Sequence, residues 1–304
     1  MKKLIITLLF ITSLFANDSL ITKDSQIYKL KQNLFVNDQY ELETVDPLHT
    51  DLNYPVLIGM GAVTLGVGIG VHLYQANAWW REKTPTFRVV NDWNYALWID
   101  KTGHFFGTNL LAHGFSGGLE AANMDSETSA IVSASLALAF QMYVEIEDGY
   151  GANWGFSPGD AIADVVGASY YLGQYYFPVL KHIQPRVSYW PTDKVKSGDD
   201  KAIIIDDYEG QKYWLGVRVK EFLPKNIKDY WPSFLMVSVG MGVKNLDGKG
   251  GGTREFYLAL DLDAEQIPLY GGVWQWIKNT LNYIHFPMPG IRITPNTAFF
   301  AIVY

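Results

Sequence analysis

Residues 129–145 read SAIVSASLALAFQMYVE, small and apolar on nearly every face until Glu145 closes the run. A helix that is apolar all round is buried among other helices or in lipid, because it has no wet side to offer. Two similar stretches flank it. Asp92 to about Gly118 contains WIDKTGHFF (98–106), and Ser157 to about Val179 reads SPGDAIADVVGASYYLGQYYFPV. Further upstream, YPVLIGMGAVTLGVGIGVHLY (54–74) carries no formal charge and is followed by Trp79-Trp80, Arg81 and Lys83. At roughly 20 apolar residues it is long enough to cross a bilayer. The alternative is a buried helix of a soluble bundle, where so many glycines would cost stability. Gly66 and Gly70 form a small-xxx-small step that would let another helix approach closely. Together the four stretches predict an apolar, membrane-associated four-helix bundle over 54–184.

The chain opens MKKLIITLLFITSLFAND, with Lys2 and Lys3 ahead of a short apolar core and Ala16 at a cleavage position. This is the design of a secretory signal peptide (1–16), and it predicts export to the periplasm, in association with the inner or outer membrane. No cysteine is present, so neither a lipidated cysteine nor a disulfide is expected. Removing Lys2 and Lys3 leaves 22 basic residues against 31 acidic ones, a formal charge of −9. Such an acidic chain excludes nucleic acid as a partner class, since phosphates demand a basic footprint. Aromatic residues make up 15%, with ten Trp and nineteen Tyr. These side chains suit surfaces with one apolar and one wet side, such as bilayer interfaces.

Residues 17–53 are polar, mixed in charge and weakly periodic, and read as a lead-in. After the bundle the composition changes, and 185–212, with PTDKVKSGDDK at its centre, reads as a linker. From 213 to 304 the pattern turns strand-like: YWLGVRV (213–219), FLMVSVGMGV (234–243), EFYLALDLD (255–263) and AFFAIVY (298–304). Leu235, Val237, Val239, Met241 and Val243 alternate with small or polar residues at period two. NLDGKGGGT is a glycine-rich hairpin loop, and Gly272 to Ile284 is a short amphipathic helix. The predicted fold class is therefore α+β: the helical bundle, then a small antiparallel β-rich region with one amphipathic helix. Four strands fall short of the eight that a closed membrane barrel needs.

Asp100 and His104 are four residues apart and share one helical face. Glu145 and Asp148 stand in the last turn of the next helix, where the dipole disfavours carboxylates and a cation or base is wanted. Asp160 and Asp164, again four apart, open the following helix. If neighbouring helices run antiparallel, these residues and Lys101 meet at one end of the bundle. Each has a plainer reading. Ser157-Pro158-Gly159-Asp160 fits a capping box with proline in the first turn, leaving Asp160 as a cap. Asp100 and Lys101 fit a solvated pair at a helix start, and His104 a hydrogen-bonded structural histidine. Asp164 lies a turn too deep for capping. Several ionisable groups at one end of an apolar bundle are expensive unless used.

Asp-Lys-x-x-His, then Glu-x-x-Asp at a helix end, then Ser-Pro-x-Asp-x-x-x-Asp with Gly-Ala, resembles the YfiM-like family of predicted periplasmic proteins, a domain of unknown function. The matching positions are Asp100, Lys101, His104, Glu145, Asp148, Ser157, Asp160, Asp164, Gly167 and Ala168. DYEGQKYWL (207–215) and YWPSFLMVSVGMGV (230–243) also resemble the C-terminal part of longer members. A more distant likeness is to VanZ-like membrane proteins, whose asparagine is replaced here by Asp164. The cysteine lipidated in some YfiM-like members is missing. The family implies no established activity.

GFSGG (114–118) fits a nucleophile elbow around Ser116, but that motif needs a strand before it, and FFGTNLLAH reads as helix. Gly114 and Gly118 are better read as a packing step. The expected function is thus an envelope protein with a carboxylate–histidine cluster. In it His104, Asp100, Lys101 and Glu145 are the candidate catalytic residues, and Asp148, Asp160 and Asp164 the candidate ligands of a divalent cation. Membrane lipid or envelope glycan is the expected partner. The rival is a non-catalytic scaffold whose polar cluster fixes helix register.

Overall fold

The computed structural model describes residues 51–198 and 204–304. The expected signal peptide, 1–16, and residues 17–50 of the lead-in lie outside them. The fold is α+β, helices first and then a six-stranded antiparallel sheet.

Among the described residues four long helices are present: α1 (Tyr54–Asn77), α2 (Ile99–Ala121), α3 (Ser126–Gly149) and α4 (Pro158–Tyr176). Their starts follow local chemistry. Asn53 and Asp125 accept from the backbone N–H of Val56 and Thr128, and Ser157 from that of Asp160, with Pro158 in the first turn of α4. The expected four-helix bundle becomes a three-helix core. α2, α3 and α4 pack on one another, whereas Gln75 is the only buried residue within α1. α1 meets α2 where Met60 fills the space over Gly118, and α3 where His72 bonds Tyr143. Its five glycines from Gly59 to Gly70 face nothing within 4 Å, so apart from the Met60 and His72 contacts this helix makes no close backbone approach to a neighbour.

α2 and α4 come very close. A Cβ on Gly167 would stand 2.4 Å from the Phe105 carbonyl oxygen, so glycine is required there. Gly118 does pack, on α1, but Gly114 is open, and it is Gly117 that lies under Trp276. Ser116 sits buried in the middle of α2 and donates to Glu120 at 3.2 Å, with no strand before it. That removes the nucleophile-elbow reading.

The sheet runs in sequence order through β1 (Ile183–Tyr189), β2 (Gln211–Val217), β3 (Leu235–Lys244), β4 (Thr253–Leu262), β5 (Met288–Thr294) and β6 (Ala298–Val303). Residues 185–212, read from composition as a linker, thus hold most of β1, a single turn α5 (Asp193–Lys196) and the start of β2. β1 tolerates Pro185 as the first strand of the sheet, and Pro289 in β5 stands where the register with β6 shifts. A further turn, α6 (Lys225–Lys228), precedes β3, and the amphipathic helix α7 (Gly272–Leu281) lies where expected.

The inner face of the sheet is polar. Arg186 and Asp261, both fully buried, pair at 2.8 Å. His285 crosses over this face, bonding Asp261 at 2.7 Å and stacking on Trp214 with ring centroids 3.9 Å apart. The helices meet the sheet where Tyr213 touches Gly103 and Phe106, and where the Tyr283 hydroxyl donates to Asn109 at 2.9 Å. Asp51–Tyr304 forms one compact unit.

Candidate functional site

Three consecutive residues, Ala96, Leu97 and Trp98, hold positive φ values of 46°, 52° and 77° just before α2. For side chains of this size that conformation costs about 1–3 kcal/mol each, and such strain collects at functional sites. The Leu97 carbonyl is clamped by Arg254 at 3.1 Å, whose guanidinium lies over the Trp98 ring. The turn aims the first residues of α2 at the ends of α3 and α4.

There the groups converge. His104 Nδ1 lies 3.1 Å from Asp164 Oδ1, and its Nε2 lies 3.8 Å from Glu145 Oε1. One ligand atom each from His104, Glu145 and Asp164 falls within 4.8 Å of the other two, and the same holds for Asp100, His104 and Asp160. Lys101 Nζ stands 3.1 Å from Asp160 Oδ1, 3.3 Å from Asp92 Oδ1 and 4.0 Å from Asp100 Oδ2. The second set therefore already holds a cation of its own. The first has none except the imidazole, which can donate from both nitrogens only when protonated.

Asp164 is fully buried. Its Oδ1 accepts from Thr108 at 2.8 Å and Gln141 at 3.2 Å, while its Oδ2 is buried and accepts no hydrogen bond. A buried carboxylate oxygen left bare is rare and calls for an explanation. Glu145, also buried, spends Oε2 on the Ser157 backbone N–H at 3.0 Å and keeps Oε1 toward His104. In a capping box Asp160 would reach back to that N–H. Glu145 takes the place, and Asp160 turns to Lys101 instead, so its role as a mere cap is corrected.

Burial sets the electrostatics at the helix ends. It pushes Glu145 up to about 8, against the opposing pull of His104 and the Ser157 N–H. Burial likewise pushes Asp148 up to about 6, opposed by its bond from Trp80. For Asp160 burial and then the charge of Asp100 raise the carboxyl above its usual range. Burial alone would lower Lys101, but Asp160, Asp100 and Asp92 outweigh it and hold the ammonium above its ordinary value.

Of the residues expected from sequence, Asp100, Lys101, His104, Glu145, Asp160 and Asp164 come together. Asp148 does not join either set: its Oδ1 accepts from Trp80 at 2.6 Å. Four further participants were not anticipated. Thr108 and Gln141 lie one turn from His104 and Glu145, so helical periodicity could have found them. Asp92 holds the Ser157 hydroxyl at 2.6 Å, and Tyr208 donates to Asp100 at 2.8 Å, bringing the segment before β2 over the site. No local pattern points to either. An apolar cleft of about 360 Å³, lined by Val89, Val90, Trp93, Pro158 and Ile162, opens beside the cluster with Asp92 on its wall.

The span that carries this geometry also matches a family of known proteins. Residues 90–174 match a family described as predicted periplasmic lipoprotein (DUF2279). DUF2279 covers Asp92, all of α2 and α3 and most of α4, which are the elements that build the cluster. The match speaks to the YfiM-like resemblance and not to the VanZ-like one. Its description supports the periplasm as compartment, although this chain has no cysteine to carry a lipid. No curated protein and no solved structure matches the chain.

Proposed function

We propose that this is a membrane-associated envelope protein of the periplasm whose His104, Glu145 and Asp164 bind one divalent cation. The observation that carries the reading is the convergence of these three ligand atoms within 4.8 Å, with Asp164 Oδ2 buried and bare. Five carboxylates, of Asp92, Asp100, Glu145, Asp160 and Asp164, face one ammonium and one imidazole, so a divalent ion offsets part of the cluster's excess negative charge. One imidazole with two carboxylates suits Zn²⁺ or Mn²⁺ better than the all-oxygen preference of Ca²⁺ or Mg²⁺. Asp148 has no part in this set.

A bound cation would act as a Lewis acid or would lower the pKa of a water molecule. The chain's own groups divide the remaining tasks. Asp164 orients His104, Thr108 and Gln141 orient Asp164, and Lys101 stands beside Asp100 and Asp160 as a counter-charge for an anionic ligand. Envelope lipid or glycan phosphates and hydroxyls are the substrates this chemistry fits. α1, long and apolar enough to cross a membrane and exposed along its length, supports membrane association.

Elemental analysis of the purified, untagged chain, followed by titration with Zn²⁺ and Mn²⁺, tests the proposal. One equivalent is expected for the native chain and none for His104→Gln. The rival scaffold reading draws on the close approach of α2 and α4 at Gly167, where a polar cluster could fix register. Alanine at His104 or Asp164 separates the two: lost activity at an unchanged melting temperature supports a site, and lost folding supports a scaffold.

A further inference from the structure

The charges of the helices fall on two levels. No Asp, Glu, Lys or Arg occurs in 102–119 of α2, 128–144 of α3 or 165–180 between Asp164 and Lys181, runs of 18, 17 and 16 residues. At 1.5 Å per residue the runs in α2 and α3 are roughly 26–27 Å tall, close to a bilayer's hydrocarbon core of about 30 Å. Because α3 runs opposite to α2 and α4, Lys101, Glu145 and Asp160 share one edge of this layer, and Glu120, Glu127 and Lys181 share the other. The bond from Tyr176 to Glu127, at 2.7 Å, confirms that the end of α4 and the start of α3 lie together. Between the edges the exposed side chains include Leu136, Val165 and Val166, and 52–80 around α1 is charge-free throughout.

The sheet repeats the pattern independently. In β4, Glu255, Tyr257 and Asp261 point inward and are buried, whereas Phe256 and Leu258 are exposed. Val239 of β3 is 50% exposed and Phe299 of β6 is 80% exposed. Charged strand residues pair inside, Arg186 with Asp261 and Arg292 with Glu255. A polar inside and an apolar outside invert the order of a water-soluble sheet and match that of one facing lipid. Exposed aromatic side chains mark both edges: Tyr74, Trp93 and Trp98 near the cluster, and Tyr54, Trp274 and Trp276 at the far end.

We infer that the unit Asp51–Tyr304 is embedded in a phospholipid bilayer, with the charge-free runs and the outer sheet face in its hydrocarbon core and the His104 cluster at the headgroup level of one leaflet. The cleft lined by Val89, Trp93 and Ile162 then opens sideways into lipid. The cluster's ligand is accordingly a lipid headgroup, a statement that rests on the cation reading, whereas the embedding does not.

The chain has no cysteine, so single labels are clean. Leu136→Cys, Val166→Cys and Val239→Cys report the core, Lys83→Cys and Lys228→Cys the two edges, and Val89→Cys the cleft mouth. Each full-length variant carries an environment-sensitive fluorophore and is reconstituted in phosphatidylcholine–phosphatidylglycerol vesicles. Core labels should be quenched by lipids brominated on the acyl chain and not by aqueous iodide, and edge labels by iodide. The Val89 label should be quenched most by lipids with a headgroup nitroxide. Core labels quenched by iodide overturn the embedding. Core labels shielded from both quenchers also overturn it, because protein then covers them. A Val89 label that responds to iodide alone overturns the headgroup placement. Mn²⁺ titration of the same vesicles reads the cation site separately, so failure of one reading leaves the other measured.

Discussion

Replacing Asp164 by asparagine changes one charge and almost no volume at the centre of the cluster. In the native chain Oδ1 takes bonds from Thr108 and Gln141 and faces His104 at 3.1 Å, while Oδ2 accepts none. In Asp164→Asn the amide nitrogen must either face those donors or occupy the bare position. An unsatisfied buried polar group costs about 1–3 kcal/mol. For a unit of this size that lowers the melting temperature by roughly 2–12 °C even without cation, at about 2–4 °C per kcal/mol. The second effect is the diagnostic one. A cation present at about 100 times its Kd stabilises the native chain by about 2.7 kcal/mol, or roughly 5–11 °C on the same scale. The variant has lost a charged ligand and gains almost none of this. Thermal unfolding in detergent, with EDTA and with each of Mg²⁺, Ca²⁺, Mn²⁺ and Zn²⁺, gives both numbers. Equal cation-induced shifts in the native chain and the variant would refute the reasoning, as would a native chain that none of the four ions moves.

Proton competition gives a second prediction. With Glu145 held near 8 against an ordinary 4.5, and Asp148 near 6 against 3.8, the cation-free protein favours the protonated acids. Their contribution is complete below about pH 4 and is lost as pH rises to 8, several kcal/mol at about 1.4 per pH unit. Against the effect of burial, the Asp164 bond and charge raise His104 to about 10. Because a cation binds ionised Glu145 and neutral His104, Mn²⁺ affinity should rise from about pH 4 to about pH 10, and parallel stability curves with EDTA and Mn²⁺ would count against the cation. Gly167→Ala places a methyl group 2.4 Å from the Phe105 carbonyl, so unfolding should become easier by about 1–3 kcal/mol and cation affinity should fall. Gly114→Ala, with nothing within 4 Å, serves as control and should be neutral or stabilising by up to about 1 kcal/mol. Arg186→Met leaves Asp261 charged and buried without its 2.8 Å partner, and chemical denaturation should show a loss of about 3–5 kcal/mol.

The cluster was legible in the sequence because helices convert a spacing of four into a shared face. Asp100 with His104, and Asp160 with Asp164, needed only antiparallel neighbours to meet. The exchange of partners at Ser157 was not legible. A capping box and a cap supplied by Glu145 from another helix look identical along the chain, and only the fold shows Asp160 released to Lys101. The bond from Trp80 to Asp148 was not legible either, since Trp80 lies 68 residues away and no periodicity links the two. Strands β2, β3, β4 and β6 announce themselves by alternation. β1 and β5 are hidden by Pro185 and by Pro289-Gly290, residues that a strand accepts only at an edge or an irregularity. α1 has the composition of a bundle member and yet stands outside the core: its glycines meet no neighbouring backbone and its Ile58, Val63, Leu65, Val67 and Ile69 side chains stay exposed.

Pulsed EPR of Mn²⁺ bound to the untagged full-length chain tests the central claim most directly. One directly coordinated imidazole nitrogen should appear in the native chain and disappear in His104→Gln. Bound Mn²⁺ with no nitrogen coupling, or a coupling that survives His104→Gln, would place the ion elsewhere and contradict the assignment.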